Sequence, residues 1–193
     1  KIFSKLGLLT VIVLISFIGN ANAQLTGIKT IPGSYASITA AITDLNAVGV
    51  GAGGVTFNIA GGYTETLTAK QTITATGTAA NPIVFQKSGG GANPLVTSYA
   101  GTIATPSTIA DGFFVLAGSD YVTFDGIDLM ESAANTTNTT VMEFGYGLFK
   151  ASATDGCQNN TIKNCVITLN RNQNTSWTSP GHNGSIGIAV LNG

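Results

Sequence analysis

Charged residues are scarce in this chain, and the few that occur are balanced in sign. Only 9% of the residues are Asp, Glu, Lys or Arg, and the formal net charge is −1. Nucleic-acid-binding domains carry clustered Lys and Arg, and anionic membranes attract polybasic segments. The sequence has neither feature. We therefore expect no nucleic-acid partner and no electrostatic attraction to membranes.

Histidine is nearly absent, since His182 is the only one. A zinc site needs several His or Cys ligands at short spacing, and a Ser-His-Asp triad would have to use this same histidine. The chain also has no G-x-S-x-G motif, which positions the nucleophile of α/β-hydrolases. We expect His182 to lie in a loop without a catalytic role. The sequence shows no catalytic motif and predicts neither a metal nor a cofactor.

Long apolar runs are absent after the first twenty residues. Residues 6–18 are almost wholly apolar, two lysines precede them, and the small pair Ala21 and Ala23 follows. This order is typical of a signal peptide that is cleaved after Ala23, so that Gln24 begins the mature protein. A membrane anchor fits less well, because thirteen helical residues rise only about 20 Å against a hydrocarbon core of roughly 30 Å. We expect residues 1–23 to be removed and the protein to be secreted or displayed at the cell surface, with membrane contact only during export.

The chain has two cysteines, Cys157 and Cys165. Export to an oxidising compartment would allow a disulfide between them. Free cysteines are also common as small buried residues. Both interpretations stay open from the sequence.

Threonine, asparagine and glycine are abundant, and short apolar segments recur along the chain. Thr favours strands, whereas Asn and Gly favour turns, so the composition predicts many short strands. One helix is predicted over residues 35–48, where apolar residues follow the helical period. Ser34 or Ser37 could cap its start, and Gly49 could end it. The glycine-rich run 49–54 formally matches a dinucleotide-binding loop. It follows a helix and precedes a strand, however, which is the reverse of that motif, and we expect a helix-to-strand connection.

A repeat follows residue 112. Residues 122–129 align with residues 160–167 at a constant spacing of 38, which places Phe124 on Ile162 and Gly126 on Asn164. A short apolar strand precedes each copy, and residues 187–192 read as the lead-in to a third. A supersecondary unit that recurs at fixed spacing indicates a stacked array, with Gly or Asn at the sharp bends. An antiparallel sandwich is the alternative.

The segments 35–42, 54–59, 62–65 and 124–127 together resemble the opening of secreted right-handed parallel β-helix proteins of the pectate-lyase-like superfamily. The nearest likeness is to large exported β-helix proteins of Bacteroidetes-type bacteria. The resemblance implies an all-β fold, a right-handed parallel β-helix (a solenoid) with an N-terminal capping α-helix. The resemblance covers most of residues 26–193, and it implies that residues 24–193 are the N-terminal part of one parallel β-helix domain. It also implies a polysaccharide or cell-surface glycan as the partner, although no catalytic motif of that superfamily can be placed on this chain.

Acidic residues are candidates for two chemistries. Asp120, Asp125 and Asp128 cluster in sequence and carry the oxygen ligands that Ca²⁺ prefers, but their positions fit a turn and an outward strand face better. Glu131 and Glu143 are candidates for glycoside hydrolysis by residue type alone. We expect both glutamates to be solvated loop acids.

The polar segment 170–177 contains Arg171 and the only tryptophan, Trp177. A projecting Trp among amides stacks on sugar rings, and a Trp can equally anchor a loop. Arg171 and Trp177 are the candidate glycan contacts.

Three functions stay open. The first is a non-enzymatic adhesive, structural or glycan-contacting role for an exported surface or secreted β-helix protein. The second is a polysaccharide lyase or glycoside hydrolase whose active site lies beyond residue 193, and the third is a carbohydrate-binding β-sandwich module. No Met precedes Lys1, and the last residues read as an unfinished repeat. We therefore expect the chain to be the N-terminal part of a longer protein.

Overall fold

The computed structural model describes residues 23–102, 110–170 and 185–191. It contains one helix, α1 (Ile38–Val48), and thirteen short strands. The strands are β1 (Leu25–Ile31), β2 (Val50–Ala60), β3 (Thr64–Thr66), β4 (Gln71–Ile73), β5 (Ile83–Ser88), β6 (Leu95–Thr97), β7 (Gly112–Ala117), β8 (Val122–Asp125), β9 (Asp128–Met130), β10 (Phe144–Phe149), β11 (Thr161–Lys163), β12 (Ile167–Thr168) and β13 (Ile186–Leu191).

The strands form three sheets. Sheet A has the order β1-β2-β5-β8-β11, sheet B the order β3-β6-β9-β12, and sheet C the order β4-β7-β10-β13. Consecutive strands therefore enter sheets A, B and C in turn, four times over. We call each set of three a cycle: cycle 1 is β2–β4, cycle 2 is β5–β7, cycle 3 is β8–β10 and cycle 4 is β11–β13.

All these pairings are parallel: β1 pairs with β2, and each strand of cycles 1 to 3 pairs with the equivalent strand of the next cycle. Parallel pairing without hairpins requires the chain to travel through other elements before it returns to the same sheet. A β-sandwich built from antiparallel strands is therefore the wrong architecture for the described strands. The prediction of a mostly β chain is confirmed.

The helix begins close to the predicted position. The Ser37 side chain accepts a hydrogen bond from the Ala40 N–H at 3.0 Å, so Ser37 rather than Ser34 is the N-cap. Gly49 ends the helix with φ 73°, and its N–H donates to the Leu45 carbonyl at 2.8 Å. The apolar face of α1 is buried against the strands through Ile38, Ala41, Ile42 and Leu45.

The glycine run 49–54 is predicted to connect the helix to a strand, but most of it belongs to that strand, because β2 already begins at Val50. Leu25 pairs with Val50, but Gly27 pairs with Val55, so β2 has extra residues opposite β1. Gly53 and Gly54 lie in this bulge with positive φ angles of 85° and 78°. Glycine adopts such angles without steric cost, which lets the strand bulge and then resume pairing.

Aromatic rings form the central column of the core. The Phe57 and Phe85 rings stack at 4.5 Å, and the Phe85 and Phe124 rings stack at 5.2 Å. The Phe124 ring also contacts Phe114 at 5.2 Å and Tyr146 at 4.9 Å. Phe57, Phe85 and Phe124 occupy the same inward position on neighbouring strands of sheet A. Their rings therefore stack at about the spacing of the strands.

The 38-residue alignment is confirmed by the register. Phe124 pairs with Ile162 in sheet A, and Leu129 pairs with Ile167 in sheet B. Gly126 and Asn164 both adopt left-handed backbone, with φ 70° and φ 56°. These two residues therefore make the same bend between sheets A and B in successive cycles.

Candidate functional site

The carboxylate of Glu65 holds the start of the helix. Its oxygens accept hydrogen bonds from the backbone N–H of Ile38 at 2.7 Å and of Thr39 at 3.1 Å, and from the Thr39 hydroxyl at 2.6 Å. The first N–H groups of a helix have no partner within the helix, and they carry partial positive charge. The Tyr63 hydroxyl also donates to Glu65 at 3.0 Å, and burial followed by this negative charge raises the pKa of Tyr63 to about 12.

Glu131 is buried at 4% exposure, so the expectation of a solvated loop acid is wrong for this residue. Its oxygens accept hydrogen bonds from the backbone N–H of Met142 at 2.6 Å and of Asn170 at 2.7 Å. The Asn135 amide adds a third bond at 3.3 Å. Burial raises the pKa of Glu131, although these bonds oppose the shift. Glu131 therefore ties together the segment after β9, the approach to β10 and the segment after β12.

Glu143 is half-buried beside Asp111 and is not a solvated loop acid either. It accepts hydrogen bonds from the backbone N–H groups of Ala110 and Asp111. Burial raises the pKa of Glu143, and the neighbouring Asp111 charge acts in the same direction.

Asp111 is buried, and its carboxylate accepts a hydrogen bond from the Thr102 N–H at 2.8 Å and one from the Tyr99 hydroxyl at 3.4 Å. Burial is the main cause that raises the pKa of Tyr99 to about 12. Lys70 donates nearby to the Ala110 carbonyl at 2.8 Å. Asp111 and Glu143 thus join the connections that lead into β7 and β10.

The three aspartates considered for calcium bind protein groups at separate places. Asp120 accepts the Gln158 N–H at 2.6 Å, and Asp128 accepts the Val166 N–H at 2.8 Å. Asp125 accepts the Asn164 amide at 2.7 Å and pairs with Lys163 at 3.2 Å, and these contacts hold its pKa below the usual range. Each of these hydrogen bonds joins residues 38 or 39 positions apart, which is one cycle of the chain. Within the described ranges, no group of three or more His, Cys, Asp or Glu side chains is placed to hold a metal ion.

Carboxylates therefore serve the architecture in this part of the molecule. Eight of the nine acidic side chains accept hydrogen bonds from the protein itself. Six of these eight accept backbone N–H groups that ordinary strand pairing does not reach.

The outer face of sheet A is the most regular accessible surface. Residues that alternate with the buried ones form two rows across the strands, and we call them the outer grid. One row consists of Ile28, Thr56, Val84, Thr123 and Thr161, and the other of Thr30, Asn58, Gln86, Asp125 and Lys163. The Gln86 side-chain amide donates to the side-chain oxygen (Oδ1) of Asn58 at 2.9 Å, along the second row. Strands lie about 4.8 Å apart, and so five strands present hydrogen-bonding groups over roughly 19 Å.

The structure describes only some of the residues that the sequence predicts as sites. Arg171, Trp177, His182 and Ala21 lie outside the described residues. Ala23 and Gln24 are exposed immediately before β1.

Cys157 and Cys165 are free, partly buried thiols. The Cys157 sulfur contacts the Leu116 carbonyl at 3.1 Å, and the Cys165 sulfur contacts the Lys163 carbonyl at 3.1 Å. Burial raises the pKa of the Cys157 thiol. The two cysteines are not joined here, and their positions fit the interpretation as small, partly buried residues.

Two residues that complete the first cycle carry no functional signal in the sequence. Glu65 falls in the segment 62–65, and Asn46 falls in the predicted helix 35–48. The Asn46 side chain donates to the Thr72 carbonyl at 2.7 Å and accepts from the Thr74 N–H at 2.9 Å, which imitates a neighbouring strand beside β4. Glu and Asn are common on helices and strands, and so no local pattern distinguishes these two.

In the described part of the chain, no helix is both long and apolar enough to cross a membrane. Comparison of the chain with protein-family models, curated proteins and solved structures finds no match.

Proposed function

We propose that this chain is part of an exported, right-handed parallel β-helix protein that has a non-enzymatic role at the cell surface or outside the cell. In this proposal α1 caps the first cycle, and the outer grid of sheet A contacts a glycan or another extended polymer. The signal-peptide pattern of residues 1–23 motivates the proposed export.

The cyclic order of the strands supports the β-helix. Each return to the same sheet is a parallel crossover, and such crossovers are right-handed in about 98% of cases. A continuous winding through sheets A, B and C would explain why the same inward positions recur in every cycle. It would also explain why positive φ angles recur at Gly126 and Asn164.

The hydrogen bonds that the carboxylates accept from the protein itself support the non-enzymatic assignment. Glycosidases need two carboxyl groups that face the scissile bond, one of them free to transfer a proton. Asp111 lies near enough to Glu143 for its charge to raise the pKa of Glu143, but both carboxylates accept hydrogen bonds from backbone N–H groups. Burial of Asp111 at 4% exposure also leaves little room for a sugar at that carboxylate.

The outer grid is the proposed contact surface because it combines hydroxyl, amide and charged groups in straight rows. Asn58 and Gln86 offer both donors and acceptors, and Lys163 partly neutralises Asp125. Sugar hydroxyls require this mixture of donors and acceptors. A flat β-branched row beside it, which includes Thr56, Val84 and Thr123, lets a polymer approach the sheet closely.

The test is a binding and turnover assay with the mature chain. Soluble and insoluble polysaccharides would be incubated with the protein, and retention would be measured together with the release of reducing ends or unsaturated products. We expect retention on at least one polymer without product release. The double variant Asn58→Ala/Gln86→Ala should weaken retention, whereas Thr97→Ala on the outer face of sheet B should not.

Two results would count against this function. Product release by the chain would indicate a polysaccharide-degrading enzyme, and equal retention of the double variant would remove the outer grid as the contact surface. Export is tested separately by expression in a Gram-negative host and mass spectrometry of the secreted form. A mature N-terminus at Gln24 is expected, and replacement of Ala23 by Arg should block cleavage.

A further inference from the structure

Three aspartates of the chain are followed directly by glycine, at Asp111, Asp125 and Asp155. In such a pair the peptide nitrogen of the glycine can attack the aspartate side chain, because glycine has no Cβ to hinder the approach. The attack forms a cyclic imide and opens a route to isoaspartate, in which the main chain runs through the side-chain carbonyl. The three pairs share one sequence, and so their surroundings decide which of them reacts.

The Asp111–Gly112 pair is held by the interior of the array. Asp111 is 4% exposed, and its carboxylate accepts hydrogen bonds from the Thr102 N–H at 2.8 Å and the Tyr99 hydroxyl at 3.4 Å. Gly112 is the first residue of β7, which pairs with β10. Imide formation would require the carboxylate to leave its donors and the strand to open, and we therefore expect this pair to be inert.

The Asp125–Gly126 pair is held by the neighbouring cycle. The Asp125 carboxylate accepts the Asn164 amide at 2.7 Å and pairs with the Lys163 ammonium at 3.2 Å. The Gly126 N–H donates to the Lys163 carbonyl at 2.9 Å. The nucleophile and the group that it would attack are both engaged, and so this pair should also be protected.

The Asp155–Gly156 pair lies in the turn between β10 and β11 and is not held in this way. Asp155 is exposed, and in the described part of the chain no group donates a hydrogen bond to its carboxylate. The Gly156 N–H donates none to those residues either. The carboxylate lies beside Gly118, where a Cβ would come within 2.8 Å of the Asp155 Oδ2 atom. The nucleophile and the carboxyl group are thus both free.

The same turn activates the nucleophile. The Asp155 carbonyl belongs to the same peptide group as the Gly156 nitrogen, and it accepts the N–H groups of Ala151 at 2.8 Å and of Ser152 at 3.4 Å. As the nitrogen loses its proton during the attack, negative charge moves onto this carbonyl oxygen. Donors that are already directed at an atom where charge develops lower the barrier of the step.

We propose that Asp155 is a site of enzyme-free self-modification, at which the folded chain forms a cyclic imide and then isoaspartate. The lone pair of the Gly156 nitrogen forms a bond to Asp155 Cγ, and the hydroxyl of the protonated side chain leaves with the amide proton as water. A second water molecule opens the imide at the main-chain carbonyl to give isoaspartate, or at Cγ to restore aspartate. Solvent water is the only co-reactant, and no atom is oxidised or reduced. This chemistry is independent of the proposed polymer contact.

The test ages the mature chain in mildly acidic buffer beside a proteolytic digest of the same chain, in which the fold is lost. Tandem mass spectrometry with electron-transfer fragmentation locates isoaspartate, and the imide is detected as a peptide that has lost one water. In the folded chain we expect isoaspartate at position 155 and none at positions 111 and 125, whereas all three positions should react in the digest. Position 155 should react at least as fast in the folded chain as in the digest, because only the fold supplies the Ala151 and Ser152 donors.

Gly156→Ala is the matched variant, since a methyl group beside the nitrogen hinders the attack and the φ angle of Gly156 is not positive. It should keep the urea midpoint of the parent and form severalfold less isoaspartate at position 155. Two results would overturn the proposal. The first is slower reaction of position 155 in the folded chain than in the digest, because the turn would then protect the pair. The second is isoaspartate at position 111 or 125 of the folded chain at the level of position 155, because the fold would then not select the site.

Discussion

Glu65 accepts the backbone N–H of Ile38 at 2.7 Å, and thus a carboxylate from the first strand of sheet B holds the start of the helix. The contact spans 27 residues of sequence. It joins the helix that covers the array to the first cycle that it covers.

Replacement of Glu65 by Ala should destabilise the protein by about 1–2 kcal/mol, because three hydrogen-bond donors at the start of the helix lose their acceptor. Glu65→Gln keeps one acceptor oxygen but loses the charge, and it should cost less. Urea unfolding followed by circular dichroism measures both changes. Thr66→Ala, at the exposed neighbouring position, is the control and should have little effect. Equal stability of Glu65→Ala and the parent would contradict the proposed anchoring.

Replacement of Phe124 by Asp should unfold the protein, because the side chain is 1% exposed and packed among the rings of Phe85, Phe114 and Tyr146. Phe124→Ala removes the ring without adding charge and should cost about 3–5 kcal/mol. Thr123→Asp, on the opposite face of the same strand, is the matched control. Thermal unfolding distinguishes the three variants, and similar midpoints for Phe124→Asp and Thr123→Asp would mean that the ring column does not stabilise the core.

Gly126 and Asn164 make the same bend one cycle apart, which predicts that Asn is accepted at position 126. Gly126→Asn should cost less than about 1 kcal/mol, whereas Gly126→Val should cost about 1–3 kcal/mol because a β-branched residue is strained at φ 70°. Any side chain here also approaches the Lys87 Cβ at 3.3 Å, a contact that both variants share. Chemical denaturation measures the difference between them, and equal losses would show that steric contact rather than backbone angle limits this position.

Burial raises the pKa of Glu131, and this shift makes stability depend on pH. At a pH between the ordinary pKa of Glu and the raised pKa of Glu131, the folded protein binds the Glu131 proton more tightly than the unfolded chain does. The free energy of unfolding should therefore decrease as pH rises through this window. Below the window Glu131 is protonated in both states, and it contributes no pH dependence.

Glu131→Gln should remove part of this slope, since the amide stays neutral at every pH. The measurement is the urea midpoint of the parent and the variant at several pH values across the window. Glu143, whose pKa burial also raises, should keep a similar contribution in the Glu131→Gln variant. A slope of the same size in parent and variant would mean that the Glu131 charge is stabilised by its hydrogen bonds as fully as it is by water.

Local chemistry determined much of what the sequence alone could predict. Ser37, the apolar residues at the helical period and Gly49 all lie in one continuous segment of the chain. The helix was therefore recognisable without knowledge of the strands that pack against it. The spacing of 38 placed Phe124 on Ile162, because stacked cycles must repeat the same inward positions. The abundance of Thr, Asn and Gly predicted the mostly β character, and the repeat favoured a stacked array over a sandwich.

Only the tertiary structure decided the roles of the acidic residues and of Asn46. Glu131 and Glu143 look like loop acids in sequence, but Glu131 is buried and Glu143 is half-buried, and both accept hydrogen bonds from backbone N–H groups that are distant in sequence. The glycines of residues 51–54 joined β2 because β1 lies alongside them, which no local pattern indicates. A hydrogen bond between residues that are far apart in sequence forms only if the fold brings the two segments together. The stacking of all the cycles determines which segments meet, and no local sequence pattern does.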